Sequence, residues 1–305
     1  MTSKKPWPAL TLAAGPVEVS PRVLREQSRP VLYHYDPAFI ELFGQVCHLV
    51  QQAFRTKYDV VLMQGEAILA LEAAAASLFE PGDKVLNLVS GIFGKGYEHF
   101  IRRYGGEPVE LAVPYNDAID SAEVQAVLEA QPDIKYLSVV HSETPSGTVN
   151  PIEAIGRIAR AHGVLTIVDT VSGLGSELLS PEGWNMDIAI AGPQKCLGAP
   201  PGLSLVTVSP AAWEAMERHR PPLRGSFLSL LDWRDTWLAK KTFPYTPSVS
   251  TVYGLEAALL AMLEVGVERY VERHQSIARA CRRGVEALGL KLWAAREAIA
   301  GAAVT

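Results

Sequence analysis

Apolar residues along this chain fall into two alternating rhythms. Short, mostly apolar runs at Asp59-Val60-Val61-Leu62-Met63, Lys84 to Val89, Pro108 to Val113, Ile134 to Val140, Val164 to Val168 and Leu203 to Val208 predict strands. A strand covered on both faces shows no polar alternation. Between these runs the apolar positions shift to helical spacing. Phe39, Leu42, Phe43, Val46, Leu49, Val50 and Phe54 trace one helix, and alanine-rich Leu69 to Phe79 traces another. Phe93 to Tyr104, a segment ending near Ala130, and Ile152 to His162 read the same way. Asp36-Pro37 supplies a start signal, with aspartate as N-cap and proline at the first helical position. Asp120 and Glu123 form a capping-box-like start. Strands alternating with helices predict an α/β fold: a mainly parallel sheet, covered on both faces, with its chemistry at the carboxyl ends of the strands.

One stretch breaks the rhythm. Asp187 to Ala191 reads as a buried strand, followed by Gly192-Pro193-Gln194-Lys195-Cys196 and then Ala199-Pro200-Pro201-Gly202. A lysine held between two rigid turns at the end of an apolar strand is restrained from swinging to solvent. Burial lowers an ammonium pKa, and a neutral amine can condense with a carbonyl. Asp169 closes the strand before it, where a carboxylate could keep a pyridine nitrogen protonated or simply cap the next turn.

Composition narrows the function. The net charge of −5 argues against nucleic acid, and 48% hydrophobic residues suffice for a large core. Cys47, Cys196 and Cys281 are scattered without metal-ligand spacing, and neither do the seven histidines show it. No leader pattern or membrane-spanning run is evident, so the expectation is a cytoplasmic protein with no membrane partner. Residues 1–30 are expected to form an N-terminal arm and residues 31–245 a large domain. A proline- and tryptophan-punctuated stretch, Pro221 to Pro247, reads as irregular. Residues 246–305 would hold linker helices, Val252 to Leu263 and Val267 to Leu288, and the start of an incomplete C-terminal domain.

Asp169-Thr170-Val171-Ser172, Gln194-Lys195 and Ala199-Pro200-Pro201-Gly202 together resemble the class V aminotransferases of the fold-type I pyridoxal-phosphate enzymes. Leu71-Glu72-Ala73-Ala74, Glu80-Pro81-Gly82-Asp83 and Ser90-Gly91-Ile92-Phe93-Gly94 extend the likeness along most of the chain. Tyr35 to Phe39, Val113 to Asn116, Thr144 to Thr148 and Phe243 to Ser250 are similar to the pyridoxamine–pyruvate branch of that group. The resemblance implies Lys195 as the Schiff-base lysine and proton shuttle, with Asp169 on the ring nitrogen. It places Phe93 against the ring face, Thr144 on the exocyclic hydroxyl, and Val171 and Tyr33 in the pocket. Gln194, a phosphate ligand in the relatives, would frame the site.

Two departures bear on which ring is bound. Where phosphate-using relatives read Ser-Gly-His, this chain has Glu66-Ala67-Ile68, and their phosphate-binding tyrosine aligns with Phe243. A carboxylate about 4 Å from a phosphate costs several kcal/mol at an effective dielectric near 20, whereas it can accept a hydrogen bond from a hydroxymethyl group. The ring expected is therefore unphosphorylated. Pyridoxamine and pyruvate would be the substrates, pyridoxal would sit on Lys195 as a substrate-derived Schiff base, and no separate coenzyme would be needed. Three readings stay open: this vitamer aminotransferase, a pyridoxal 5'-phosphate-dependent alanine/serine–glyoxylate or –pyruvate aminotransferase, and an inactive fragment serving as a dimerising domain. The family implies a homodimer or homotetramer. It also implies a substrate-gripping arginine that this sequence does not match; Arg282, Arg283 and Arg296 read as helix-surface residues.

Overall fold

The structure is a computed structural model that describes residues 11–305. The first ten residues of the expected arm lie outside the described residues. In chain order the elements are α1 (Pro21–Gln27), α2 (Pro37–Phe54), β1 (Asp59–Gln64), α3 (Ile68–Leu78), β2 (Lys84–Val89), α4 (Ile92–Arg103), β3 (Glu107–Ala112) and α5 (Ser121–Ala130). Then come β4 (Ile134–Val140), β5 (Ser142–Glu143), β6 (Thr148–Val149), α6 (Ile152–Ala161), β7 (Leu165–Asp169), β8 (Ile188–Ala191) and β9 (Leu203–Val208). Four α-helices follow, α7 (Pro210–Arg218), α8 (Leu230–Trp233), α9 (Val249–Val265) and α10 (Val267–Ala287), and a 3-10 turn lies at Glu297–Ile299.

Seven strands form one sheet in the order β1-β9-β8-β7-β4-β2-β3. The β2–β3, β2–β4, β4–β7 and β7–β8 pairs are parallel. Strand β9 runs antiparallel to both β8 and β1. The lysine turn is the reason: it joins β8 to β9 without a crossover helix, and so short a link returns the chain alongside itself. The sheet is thus mainly parallel, as its sequence implies, with one reversed strand. Residues of β8 and β9 are buried throughout, as strands covered on both faces must be.

The expected starts hold at atomic detail. The Asp36 carboxylate accepts from the Ala38 amide at 2.8 Å, and Asp120 accepts from Ala122 at 2.9 Å. Two helices fall where no helix is expected. Helix α1 lies within the supposed arm, and α7 follows β9. Each begins at a serine N-cap with proline in the first turn, Ser20-Pro21 and Ser209-Pro210. The irregular stretch contains α8 and a π-helical turn, Arg234–Leu238. Helix α9 packs on α1 and α2, within the same core as the sheet. Arg282 is a correction. It is 6% exposed, and its guanidinium pairs with Glu297 at 2.7 and 3.0 Å while donating to the Gly301 carbonyl. Helix α10 turns this residue inward.

Candidate active site

The carboxyl ends of β1, β4, β7 and β8 converge on a cavity of about 240 Å³. It is bordered by Lys195, Asp169, Glu66, Phe93, Thr144, Val171 and Gln194. Sequence separations as large as that between Glu66 and Lys195 close here because only β9 lies between β1 and β8 in the sheet, and those two strands end on the same side. Tyr33 does not border the cavity within this chain; it is 66% exposed and packs edge-on to Tyr35. Phe243 is buried, stacked on Trp237 with centroids 5.0 Å apart and packed on Phe43.

Lys195 lies in the turn after β8, where the Gly198 amide donates to its carbonyl at 2.9 Å. A strap from the N-terminal segment covers it. The Val17 amide donates to the Gln194 carbonyl at 3.0 Å, and Gly15 lies so close that a Cβ there would overlap the lysine side chain. Gly15 has φ +139°, a region glycine tolerates and other residues rarely adopt. Burial lowers the basicity of Lys195, with Glu66 and Asp169 pulling the other way. Its amine is therefore more available for carbonyl chemistry than an exposed lysine's.

Asp169 ends β7, and one of its oxygens accepts from the Val171 amide at 2.9 Å. Burial pushes its carboxyl up to about 7; the Val171 amide opposes this, while Glu143 and Glu66 reinforce it. A buried carboxyl so raised is poised to take a cationic partner. Behind it lies His141, which burial pushes down to about 4.

The third group sits at the N-terminus of α3. One Glu66 oxygen accepts from the Ile68 amide at 3.0 Å, and the other accepts from the Gln194 amide nitrogen at 2.6 Å. Ser204 holds the loop by donating to the carbonyls of Gly65 and Glu66, at 3.0 Å each. A carboxylate thus occupies the position where free amides and the helix dipole favour an anion. Thr144, beyond β5, shares a 2.5 Å hydrogen bond with Ser172.

Sequence reasoning missed Gly15, Pro16, Ser142 and Glu143. The first three border the cavity; Glu143 lies behind its wall, 0% exposed. Their signal was position: Ser142 and Glu143 follow directly on the carboxyl end of a buried strand. None of Arg282, Arg283 and Arg296 borders the cavity; Arg296 pairs with Asp117. Among the described residues no cluster could hold a metal ion.

The family described as aminotransferase class-V matches residues 26–300. The pyridoxamine–pyruvate transaminase of Mesorhizobium japonicum is 48% identical, over 98% of this chain and 76% of that protein. The alanine–glyoxylate aminotransferase of Drosophila melanogaster is 30% identical, over 95% of this chain and 75% of its own. Among solved structures, pyridoxamine–pyruvate aminotransferase from Mesorhizobium loti superposes with a TM-score of 0.95 at 48% identity, covering 98% of this chain and 76% of that one. The ureidoglycine–glyoxylate aminotransferase of Bacillus subtilis gives 0.88 at 31%, covering 92% and 72%.

Proposed function

The chain belongs to the class V aminotransferases, and on that premise we propose that it transfers the amino group of unphosphorylated pyridoxamine to pyruvate, giving pyridoxal and alanine. Glu66 carries this reading. Both its oxygens are already engaged by the Ile68 amide and Gln194, so the anion position at α3 is filled by the protein itself. Class V aminotransferases depend on pyridoxal 5'-phosphate. The described residues fit the ring of that group: a buried carboxyl awaiting a cation, a lysine of lowered basicity, and an aromatic side chain on the cavity wall. They do not fit its phosphate. A neutral hydroxymethyl group can instead donate to Glu66, and the vitamer is then substrate, with no separate coenzyme. The name borne by the Mesorhizobium japonicum relative supports the same choice.

The bound ring supplies an electron sink for charge developing at the amino-bearing carbon. Asp169 holds a proton at the ring nitrogen. Phe93 covers a ring face, and Thr144 with Ser172 bonds the exocyclic hydroxyl. Lys195 Nζ takes a proton from one carbon beside the transferred nitrogen and returns it to the other, as general base and then acid.

Adding pyridoxal and pyridoxal 5'-phosphate separately to the purified protein, and following ring absorbance, tests the assignment. Pyridoxal should give the spectral change at the lower concentration. Tight binding of the phosphate ester with no response to pyridoxal would return the chain to the phosphate-dependent aminotransferases.

A further inference from the structure

Glu143 takes no part in the chemistry above, yet it is 0% exposed and lies against the ring slot. It belongs to the two-residue strand β5, directly before Thr144. Its side chain crosses to the first turn of α4, where one oxygen accepts from the Gly94 amide at 2.8 Å and the other from the Phe93 amide at 3.4 Å. A carboxylate offers a full acceptor to each amide, whereas a carboxyl hydroxyl is a weaker acceptor and carries an O–H donor of its own. The surrounding backbone is cut to fit it. A Cβ on Gly91 would overlap the Glu143 carboxylate, and one on Gly94 would lie 2.8 Å from the Leu88 carbonyl and 3.3 Å from Glu143 Oε1. The Gly91-Ile92-Phe93-Gly94 pattern is therefore the imprint of this buried side chain.

We propose that Glu143 is a positioning residue for the ring, a strut that ties the Phe93 wall of the slot to the Thr144 wall and fixes the gap between them. Phe93 and Thr144 come from different elements, the N-terminus of α4 and the loop after β5. Among the described residues Glu143 is the side chain that is covalently next to one and hydrogen-bonded to the backbone of the other. Burial raises its carboxyl, and the two amides offset that rise in part.

The inference rests on the proposed function only in its choice of ligand. Pyridoxine, which carries the ring and hydroxymethyl group but no reactive aldehyde or amine, reports slot geometry without any reaction. Its affinity for the whole chain is measured by calorimetry in a cycle of wild type, Glu143→Gln, Phe93→Ala and the double variant. Glu143→Gln should weaken binding about tenfold, from loss of one charge-assisted bond. In the Phe93→Ala background it should weaken binding by less than threefold, since the gap it sets between the two walls no longer has the Phe93 ring on one side. Equal losses in both backgrounds, or no loss in either, would overturn the proposal. Gly91→Ala, which displaces Glu143 without removing its charge, should reproduce the coupled loss. It also decides the matter should Glu143→Gln fail to fold. If wild type binds pyridoxine 5'-phosphate and ignores pyridoxine, the ring assignment fails. The same cycle run with that ester then judges Glu143 independently.

Discussion

Asp169 and His141 are joined through the backbone, the His141 amide donating to the Asp169 carbonyl at 2.7 Å, yet burial drives their titrations in opposite directions. The Asp169 carboxyl titrates near 7 when folded and about 4 when unfolded. Between those pH values the folded chain holds a proton that the unfolded chain has lost, so this group's contribution to stability falls as pH rises, by at most about 1.4 kcal/mol per pH unit. His141, near 4 when folded and about 6.5 unfolded, contributes the reverse slope. Comparing urea unfolding of wild type and Asp169→Asn without ligand isolates the first effect. The wild type should lose ground to the variant from pH 4 to 7, and parallel curves would mean that Asp169 is not protonated when the site is empty. The same substitution should cripple amino transfer, because a neutral amide cannot hold the ring nitrogen's proton. For Lys195→Ala, turnover should fall by at least about 10²-fold, the lower bound for losing a general base. The spectral change on adding pyridoxal should vanish with it.

Helix starts carry much of the design at the level of elements. At α3, Glu66→Ser keeps a short side chain able to cap the first turn and removes the charge. Affinity for pyridoxal 5'-phosphate should then rise by about 10²-fold or more, since like charges near 4 Å at a dielectric near 20 cost about 4 kcal/mol. Titration by absorbance checks it. At α6, a Cβ on Gly156 would run into the Trp184 carbonyl. Gly156→Ala should cost about 1–3 kcal/mol as the helix and the Trp184 loop are forced apart, read from chemical unfolding. The capped starts of α2 and α5 and the apolar strands were readable because local chemistry sets them. Helices α1 and α7 carried an equally readable serine–proline start, overlooked amid surrounding prolines. Two features had no local signature. The reversal of β9 follows from a short connection, since an all-apolar strand looks alike in either direction. Phe243, expected in the place of the relatives' phosphate-binding tyrosine, lies in an aromatic cluster that only tertiary packing reveals. Glu143 also escaped notice, because a lone glutamate carries no periodicity; its two glycine partners lie some fifty positions earlier.

Across the whole molecule, the site is assembled from segments that the sequence keeps far apart. Val31, Tyr33 and Tyr35 leave apolar surface exposed on the stretch leading into α2. In keeping with the homo-oligomer expected of this family, sedimentation at micromolar concentration should give a dimer or tetramer. A monomer there would overturn that expectation. The position of β1 sets a further requirement, one of timing. Among the described residues this is the first strand in chain order, and it pairs with β9, the last strand of the sheet, from Asp59 against Val208 to Gln64 against Leu203. At about 5–20 residues per second, β1 waits on the order of ten seconds for β9, its one sheet neighbour among the described residues, to be synthesised. Throughout that interval the hydrogen-bonding edge of β1 has no strand to pair with, although α2 already packs against it. The β1 edge therefore cannot close while the chain is being made until the lysine turn has emerged and brought β9 back beside β1.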